Sequence, residues 1–332
     1  MKLDYSSGYY SRLHDGSGSS AKAVVPVVRE LVQPASVVDL GCGTGAWLAE
    51  FKRQGVQDVL GVDGPHIPVD QLEIKPSEFL ASDLSRPIKL RIKFDLAMAL
   101  EVAEHLNEEE AEEFVESLTR LADAVLFSAA VPHQGGKHHV NEQWPAYWSE
   151  RFAFHDFVAL DPFRRLLWER SDVDWWYAQN LILYVRLDKF AKHGWVAETA
   201  ERGIPTLIHP SNYLQLAWRN RVMRVAVEIA SVTRPGETIV LADENRFGSL
   251  YLPERIVRPF IERNGVYFGP PSDAEEAISQ LIRMKNEGAS YFAIGWPAFW
   301  WLNYYRKLAS FLDDSCYSVL NNEHVIIFRI NG

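Results

Sequence analysis

Short apolar runs recur along the first half of the chain at Ser36–Leu40, Val59–Val62, Phe79–Ala81, Phe94–Leu100 and Ala124–Ser128. Each is too short for a core helix and reads as a strand. Ala46–Gln54 and Glu108–Leu121 fall between them with apolar residues at helical spacing. Alternating strands and helices predict an α/β fold, a mostly parallel sheet covered on both faces. The run LILYVRL (Leu181–Leu187) is expected to be the last strand and closes a first domain over residues 21–190. Upstream, Met1–Ser20 is rich in Ser, Gly and Tyr and reads as a mobile arm, with Ser19 or Ser20 capping a helix to about Val32.

The pattern restarts after residue 200. Asn212–Val232 is helical, Arg234–Glu237 (RPGE) is a turn and Thr238–Ala242 is a strand. Ser272–Asp273 caps a helix ending near Asn286, with Gly288 as its stop. Ser290–Gly295 is a strand and Trp296–Leu312 a strongly aromatic helix; strands Cys316–Leu320 and His324–Ile330 flank an Asn-Asn-Glu turn. Residues 200–332 therefore form a second, smaller α/β domain.

Composition narrows the function classes. With 332 residues, 47% hydrophobic and 23% charged, the chain is ordinary for a two-domain globular protein. A formal charge of −10 argues against general nucleic-acid binding. The two cysteines, Cys42 and Cys316, are too few for a disulfide framework or a cysteine zinc site. No run has the length of a membrane span and no signal-peptide core is present, so a cytoplasmic protein is expected.

The strongest local signal is Val37–Trp47, VVDLGCGTGAW. It reads as a strand, a tight turn carrying Gly41, Gly43 and Gly45, and a helix start, a geometry that lays bare backbone against a ligand. Asp39, Asp63, Asp83 and Glu101 each stand at the end of a predicted strand. Carboxyl ends of parallel strands line one crevice, so these four carboxylates are expected to converge there. Taken singly, each is equally well explained as a helix cap.

VVDLGCGTG, VLGVDG, ASDL and FDLAMALEVAEHL together resemble the motif series of class I S-adenosylmethionine-dependent methyltransferases, over roughly the first 190 residues. The glycine spacing G-x-G-x-G departs from the G-x-G-x-x-G of nicotinamide enzymes. The resemblance implies a seven-stranded Rossmann-like sheet and S-adenosylmethionine as cofactor. It implies that Gly41, Gly43 and Gly45 admit the methionine part, that Asp63 accepts both ribose hydroxyls, and that Asp83 accepts from the adenine amino group. Asp39 would orient the loop or meet the methionine amino group, while Cys42, Gly64, Leu84 and Glu101 belong to the same cofactor-lining motifs. Ser128–Trp148 (SAAVPHQGGKHHVNEQWPAYW) and Asp174–Val185 (DWWYAQNLILYV) are similar to bacterial methyltransferases encoded with surface-glycan and natural-product pathways. That likeness implies a sugar-type acceptor and a role in polysaccharide biosynthesis.

Two arrangements could activate a hydroxyl acceptor. Glu101, Glu104 and His105 have the spacing E-x-x-E-H, which can bring three side chains to one face. With His138 or His139 from the loop after the fifth strand they would suit Mg²⁺, Mn²⁺ or Zn²⁺. The pattern is similar to the metal motif of small-RNA 2′-O-methyltransferases and some quinone O-methyltransferases. The other arrangement is a metal-free base among His133, His138 and His139, beside Asn141 and Glu142, with His139 preferred. His14 could reach the cleft only if the arm folded over it. Trp175-Trp176-Tyr177 and Phe299-Trp300-Trp301 could stack on sugar rings, although packing explains such clusters as readily. The second domain shows no phosphate loop or nucleophile elbow; Asp243 and Glu244 after a strand could mark a ligand edge or cap a turn.

The expectation is O-methylation of a sugar hydroxyl on a glycan or glycosylated metabolite. N- or C-methylation of a small molecule and a non-catalytic cofactor-binding scaffold are the alternatives. The second domain would serve acceptor recognition or homo-oligomerisation.

Overall fold

A computed structural model describes residues 7–200, 204–249 and 251–330. The chain divides into two compact units, Met1–Leu214 and Gln215–Gly332. In order, the first holds α1 (Ser7–Val32), β1 (Ser36–Leu40), α2 (Ala46–Arg53), β2 (Asp58–Asp63), β3 (Phe79–Ala81), β4 (Leu96–Leu100), α3 (Ala111–Leu121) and β5 (Ala124–Ser128). Then come α4 (Pro145–Phe154), β6 (Phe157–Leu160), α5 (Arg164–Leu167), α6 (Trp175–Asn180), β7 (Ile182–Arg186), α7 (Leu187–Phe190) and α8 (Gly194–Ala200). Helix α9 (Pro210–Val232) starts in this unit and runs into the second.

The seven strands lie in the order β3-β2-β1-β4-β5-β7-β6. β1 to β5 pair in parallel, and β7 enters antiparallel between β5 and the edge strand β6. Every residue of β4 and β5 is buried, as two-sided burial requires. Alternate residues feed opposite faces. Val37, Leu96, Met98 and Leu126 pack with Val24, Val28, Leu48 and Phe51 of α1 and α2. Val38, Ala97, Ala99 and Phe127 pack with Phe114, Leu118, Trp148 and Phe152 of α3 and α4. This is the seven-stranded, Rossmann-like sheet that the resemblance implied.

The amino terminus departs from expectation. Residues 7–20 are helical, so Ser19 and Ser20 lie inside α1 and cap nothing. The stripe Ala21, Val24, Val25 and Val28 buries one face of α1, and Ser19 and Ser20 bond to Asp172 and Asp174. Their hydroxyls tie the helix to the loop before α6. Residues 1–6, the rest of the proposed arm, lie outside the described residues, as does the side chain of His14. The first unit also continues past residue 190, through α7, α8 and the start of α9.

The second unit has β8 (Thr238–Ala242), β9 (Ile256–Pro259), β10 (Glu262–Arg263), β11 (Val266–Tyr267), α10 (Ala274–Asn286), β12 (Tyr291–Gly295), α11 (Trp300–Tyr304), α12 (Arg306–Ser315), β13 (Tyr317–Asn321) and β14 (Val325–Arg329). Its main sheet runs β13-β14-β12-β8-β9, with β12, β8 and β9 parallel and β14 antiparallel to both neighbours. Val240, Phe292 and Ile326 pack under α10 to α12, whereas Ile239, Ala293 and Ile327 pack against Val225 and Ile229 of α9. Asp273 caps α10 by accepting from Glu276 N, as its position predicts. The aromatic stretch is not one helix: a 3-10 turn at Trp296–Ala298 precedes α11, and Tyr305 leaves helical geometry before α12. Among the described residues, no helix is long and apolar enough to cross a membrane.

Candidate active site

The turn after β1 is left-handed at all three glycines, with φ of 88° at Gly41, 55° at Gly43 and 87° at Gly45. Two of them are also fixed by packing. A Cβ on Gly41 would stand 2.3 Å from Val102 Cγ2, and one on Gly45 3.0 Å from Ile74 Cγ1. A Cβ on Gly43 would meet nothing within 4 Å, so Gly43 presents bare backbone to open space. The N–H groups of Gly41 and Cys42 donate to Val62 O, pinning the turn to the end of β2. Asp63 closes the clamp: Oδ2 accepts from Gly43 N at 2.7 Å and Oδ1 from Gly64 N at 2.6 Å.

Asp39 is buried on β1, and its Oδ1 has no hydrogen-bond partner. Burial, and then the charge of Asp63, push its carboxyl up to about 7. Burial also raises the Cys42 thiol, which remains protonated. Asp83 behaves differently. Its side chain is 60% exposed and accepts from Ser85 N and Oγ, which lowers its pKa. Leu84 packs at the margin of the core. The four carboxylates stand at or just past the ends of β1 to β4, which pair in parallel, so all lie at one edge of the sheet. Asp39 and Asp63 share the glycine turn, Glu101 joins a separate group of contacts, and Asp83 accepts from two Ser85 donors at the surface.

That separate group is built where β4 leaves the sheet. Glu101 turns the chain with φ 54°, and its N–H donates to Ser128 O of β5. The following 3-10 turn, Ala103–His105, places Glu104 fully buried and His105 partly buried. The Glu104 carbonyl accepts from Val140 N at 2.9 Å and Asn141 N at 3.0 Å, which docks the histidine loop onto this turn. One ligand atom each of Glu104, His105 and His139 lies within 4.8 Å of the others. The two imidazole rings meet edge to face at 4.8 Å.

Glu142 organises the loop. Its Oε2 accepts from His133 N and its Oε1 from Gly135 N, both at 2.7 Å, and Oε1 also lies 3.0 Å from His139 Nδ1. A Cβ on Gly136 would stand 2.1 Å from His139 Nε2, so only glycine leaves room for that ring. His138 takes a left-handed φ of 64°, and its backbone hydrogen-bonds His105. Among the described residues the three-residue cluster includes neither His138 nor Glu101.

Electrostatics set the protonation states. Neither Glu104 oxygen has a hydrogen-bond partner of good geometry, although Ala130 N–H and Glu101 bear on it. Burial and the Glu101 charge hold its carboxyl well above the carboxylate range. Burial raises Glu101 too, opposed by bonds from Asn180 Nδ2 at 3.1 Å and Gln134 Nε2 at 3.1 Å. Burial and the neighbouring His139 push His105 down to about 4, so it is a neutral imidazole at pH 7. Gln134, Gln179 and Asn180 form a buried amide network around Glu101 that residue spacing does not reveal. Of the aromatic clusters, Tyr177 packs on Trp47 at 5.1 Å and Trp301 is fully buried, which makes both core residues.

A family model described as "Methyltransferase domain" matches residues 18–171. The ribosomal RNA large subunit methyltransferase E of Caulobacter sp. (strain K31) is 42% identical over 53 residues, 16% of this chain and 22% of that protein. The chain thus matches under a quarter of that curated relative. Magnesium protoporphyrin IX methyltransferase from Synechocystis PCC 6803, solved with bound SAH, is 19% identical with a TM-score of 0.41, covering 56% of this chain and 90% of that one. An amino pentose methyltransferase from Micromonospora echinaspora, solved with bound SAM, is 14% identical with a TM-score of 0.42, covering 56% and 99%. Residues 18–171 of the first unit thus match a methyltransferase domain.

Proposed function

We propose that the chain transfers the methyl group of S-adenosylmethionine to a hydroxyl of a sugar-type acceptor, with a divalent cation held by Glu104, His105 and His139. One observation carries this reading: a fully buried carboxyl, reached only in poor geometry by Ala130 N–H and Glu101 among the described residues, within 4.8 Å of two imidazoles. An unpaired buried carboxylate is costly, and a cation is the partner that satisfies it. The donor set fits the group. Two nitrogens and one carboxylate oxygen, with the Glu101 carboxyl adjoining, suit Mn²⁺ or Zn²⁺ better than the all-oxygen preference of Mg²⁺.

Each residue then has a task. His105, neutral at pH 7, has a lone pair free to ligate. Glu142 on Nδ1 fixes the tautomer and ring plane of His139, leaving Nε2 for the site. Gly43 offers the cofactor an open stretch of backbone, and Asp63 keeps lone pairs for a vicinal diol beyond its two N–H bonds. S-adenosylmethionine supplies the electrophilic methyl group. A bound cation would gather neighbouring hydroxyls and lower the pKa of one.

A second reading rests on the same His139–Glu142 contact. Without a cation, His139 Nε2 takes the acceptor proton while Glu142 steadies the imidazolium. Exhaustive EDTA dialysis separates the two. Loss of methyl transfer to vicinal-diol sugars, restored by Mn²⁺ or Zn²⁺, supports the cation site; full activity after dialysis supports the histidine base. Absence of SAH binding by calorimetry would sink both.

A further inference from the structure

The second unit has a switch point of its own. β8 lies between β9, the next strand in sequence, and β12, and all three are parallel. Open α/β sheets bind ligands beyond the carboxyl ends of strands at such a point. The loop leaving β8 is tightly built. Asp243 is 1% exposed, and its carboxylate accepts from Asn245 N, Phe247 N and Gly248 N at 3.0, 2.9 and 2.7 Å. Around it Glu244 and Asn245 take successive left-handed φ values of 55° and 57°.

This loop carries Glu244. Its Oε1 accepts from Trp300 Nε1 at 2.7 Å, which fixes the indole beyond the end of β12. Trp300 is 42% exposed and Tyr304 71% exposed, and their rings stand 5.7 Å apart at 68°. Trp300 also packs on Trp301 at 6.2 Å and on Tyr305 at 6.0 Å, so the exposed part of its indole, the Tyr304 ring and the Glu244 carboxylate form a corner at the surface. Tyr267 is close enough for Glu244 and Asp243 to raise its pKa, after the larger effect of burial.

We propose that this corner is a binding site for a neutral saccharide, with a pyranose ring stacked on Trp300 and hydroxyls donating to Glu244 Oε2. A pyranose has an apolar C–H face and polar hydroxyl edges, which match an indole beside a carboxylate. An anionic ligand is disfavoured, because Asp243 and Glu244 supply negative charge, and α10, the helix that begins at this edge, already carries Asp273, Glu275 and Glu276 at its N-terminus. The site uses none of the residues of the methyltransferase domain.

Saturation-transfer NMR tests it on the full chain without cofactor, using the methyl pyranosides of glucose, galactose, mannose and rhamnose as probes. At least one pyranoside should receive saturation on its ring protons. Trp300→Ala should abolish the effect and Trp300→Phe should retain it. Glu244→Gln should weaken binding roughly tenfold through loss of a charged acceptor. The double change Glu104→Ala with His105→Ala should leave it intact. No saturation transfer to any pyranoside would overturn the proposal, as would wild-type binding in Trp300→Ala, or binding of choline or inorganic phosphate in place of the sugars. The readout needs neither turnover nor metal, so its failure is distinct from failure of the methyl-transfer reading.

Discussion

His139 Nδ1 lies 3.0 Å from Glu142 Oε1, and the same carboxylate accepts the backbone N–H groups of His133 and Gly135. One side chain therefore fixes both the loop's path and its functional ring. Glu142→Gln keeps the shape but loses the charge and two acceptor sites. Turnover should fall about 10- to 100-fold, the usual cost of removing a carboxylate behind a working histidine. SAH affinity should be unchanged, because the cofactor turn is held by Asp63. Steady-state kinetics and SAH calorimetry on one preparation check this; equal losses in both would show that the loop serves folding alone.

Cation binding has a readout apart from activity. A cation that binds the folded chain raises its melting temperature by mass action. At a hundredfold excess over its dissociation constant, Mn²⁺ or Zn²⁺ should stabilise the wild type by about 2.7 kcal/mol. Glu104→Gln should melt at or above the metal-free wild type at alkaline pH and ignore added cation, since its amide never takes the ionised form that burial and Glu101 disfavour. A cation-induced shift that survives in Glu104→Gln would remove Glu104 from the ligand set.

Much of this was legible in the chain. The continuous apolar runs of β1 and β5 place those strands because both faces are buried, and Gly41, Gly43 and Gly45 announce the turn because no other residue takes such φ values freely. The triad Glu104, His105 and His139 was readable from E-x-x-E-H and the HVNEQW segment. Glu142 as organiser was not, since its partners are backbone N–H groups whose directions depend on left-handed His133 and Gly135. Nor were the two Ser85 donors that hold Asp83 just past the end of β3. The helical state of residues 7–20 was missed because Ser and Gly composition hid an apolar stripe that begins only at Ala21.

The glycine turn yields a contrast between neighbours. Gly41→Ala introduces both a left-handed alanine and a contact of 2.3 Å with Val102, so the fold should lose several kcal/mol, of the order found for overpacked cores. Gly43→Ala meets open space and should cost only about 1–2 kcal/mol of backbone strain. Its methyl group would project where the cofactor is proposed to lie. Denaturant titration and SAH calorimetry should therefore rank the two in opposite order, Gly41→Ala worse in stability and Gly43→Ala worse in affinity per unit of stability lost. Normal SAH affinity in Gly43→Ala would move the cofactor away from this turn.

Asp39 gives the pH dependence. Burial raises its pKa in the folded state from the ordinary carboxyl range to about 7, so the folded state holds a proton more tightly than the unfolded chain. The resulting stabilisation is complete below about pH 4 and is lost as pH rises to about 7, a change on the order of 4 kcal/mol. Asp63, also raised by burial, contributes with the same sign. Asp39→Asn removes the ionisation while keeping the shape. The variant should match the wild type near pH 4 and exceed it increasingly up to pH 8, and its stability should vary less steeply with pH. Urea titrations at half-unit intervals measure this directly. A wild-type advantage at pH 8 would mean that ionised Asp39 has a partner in the folded state and that burial does not dominate its titration.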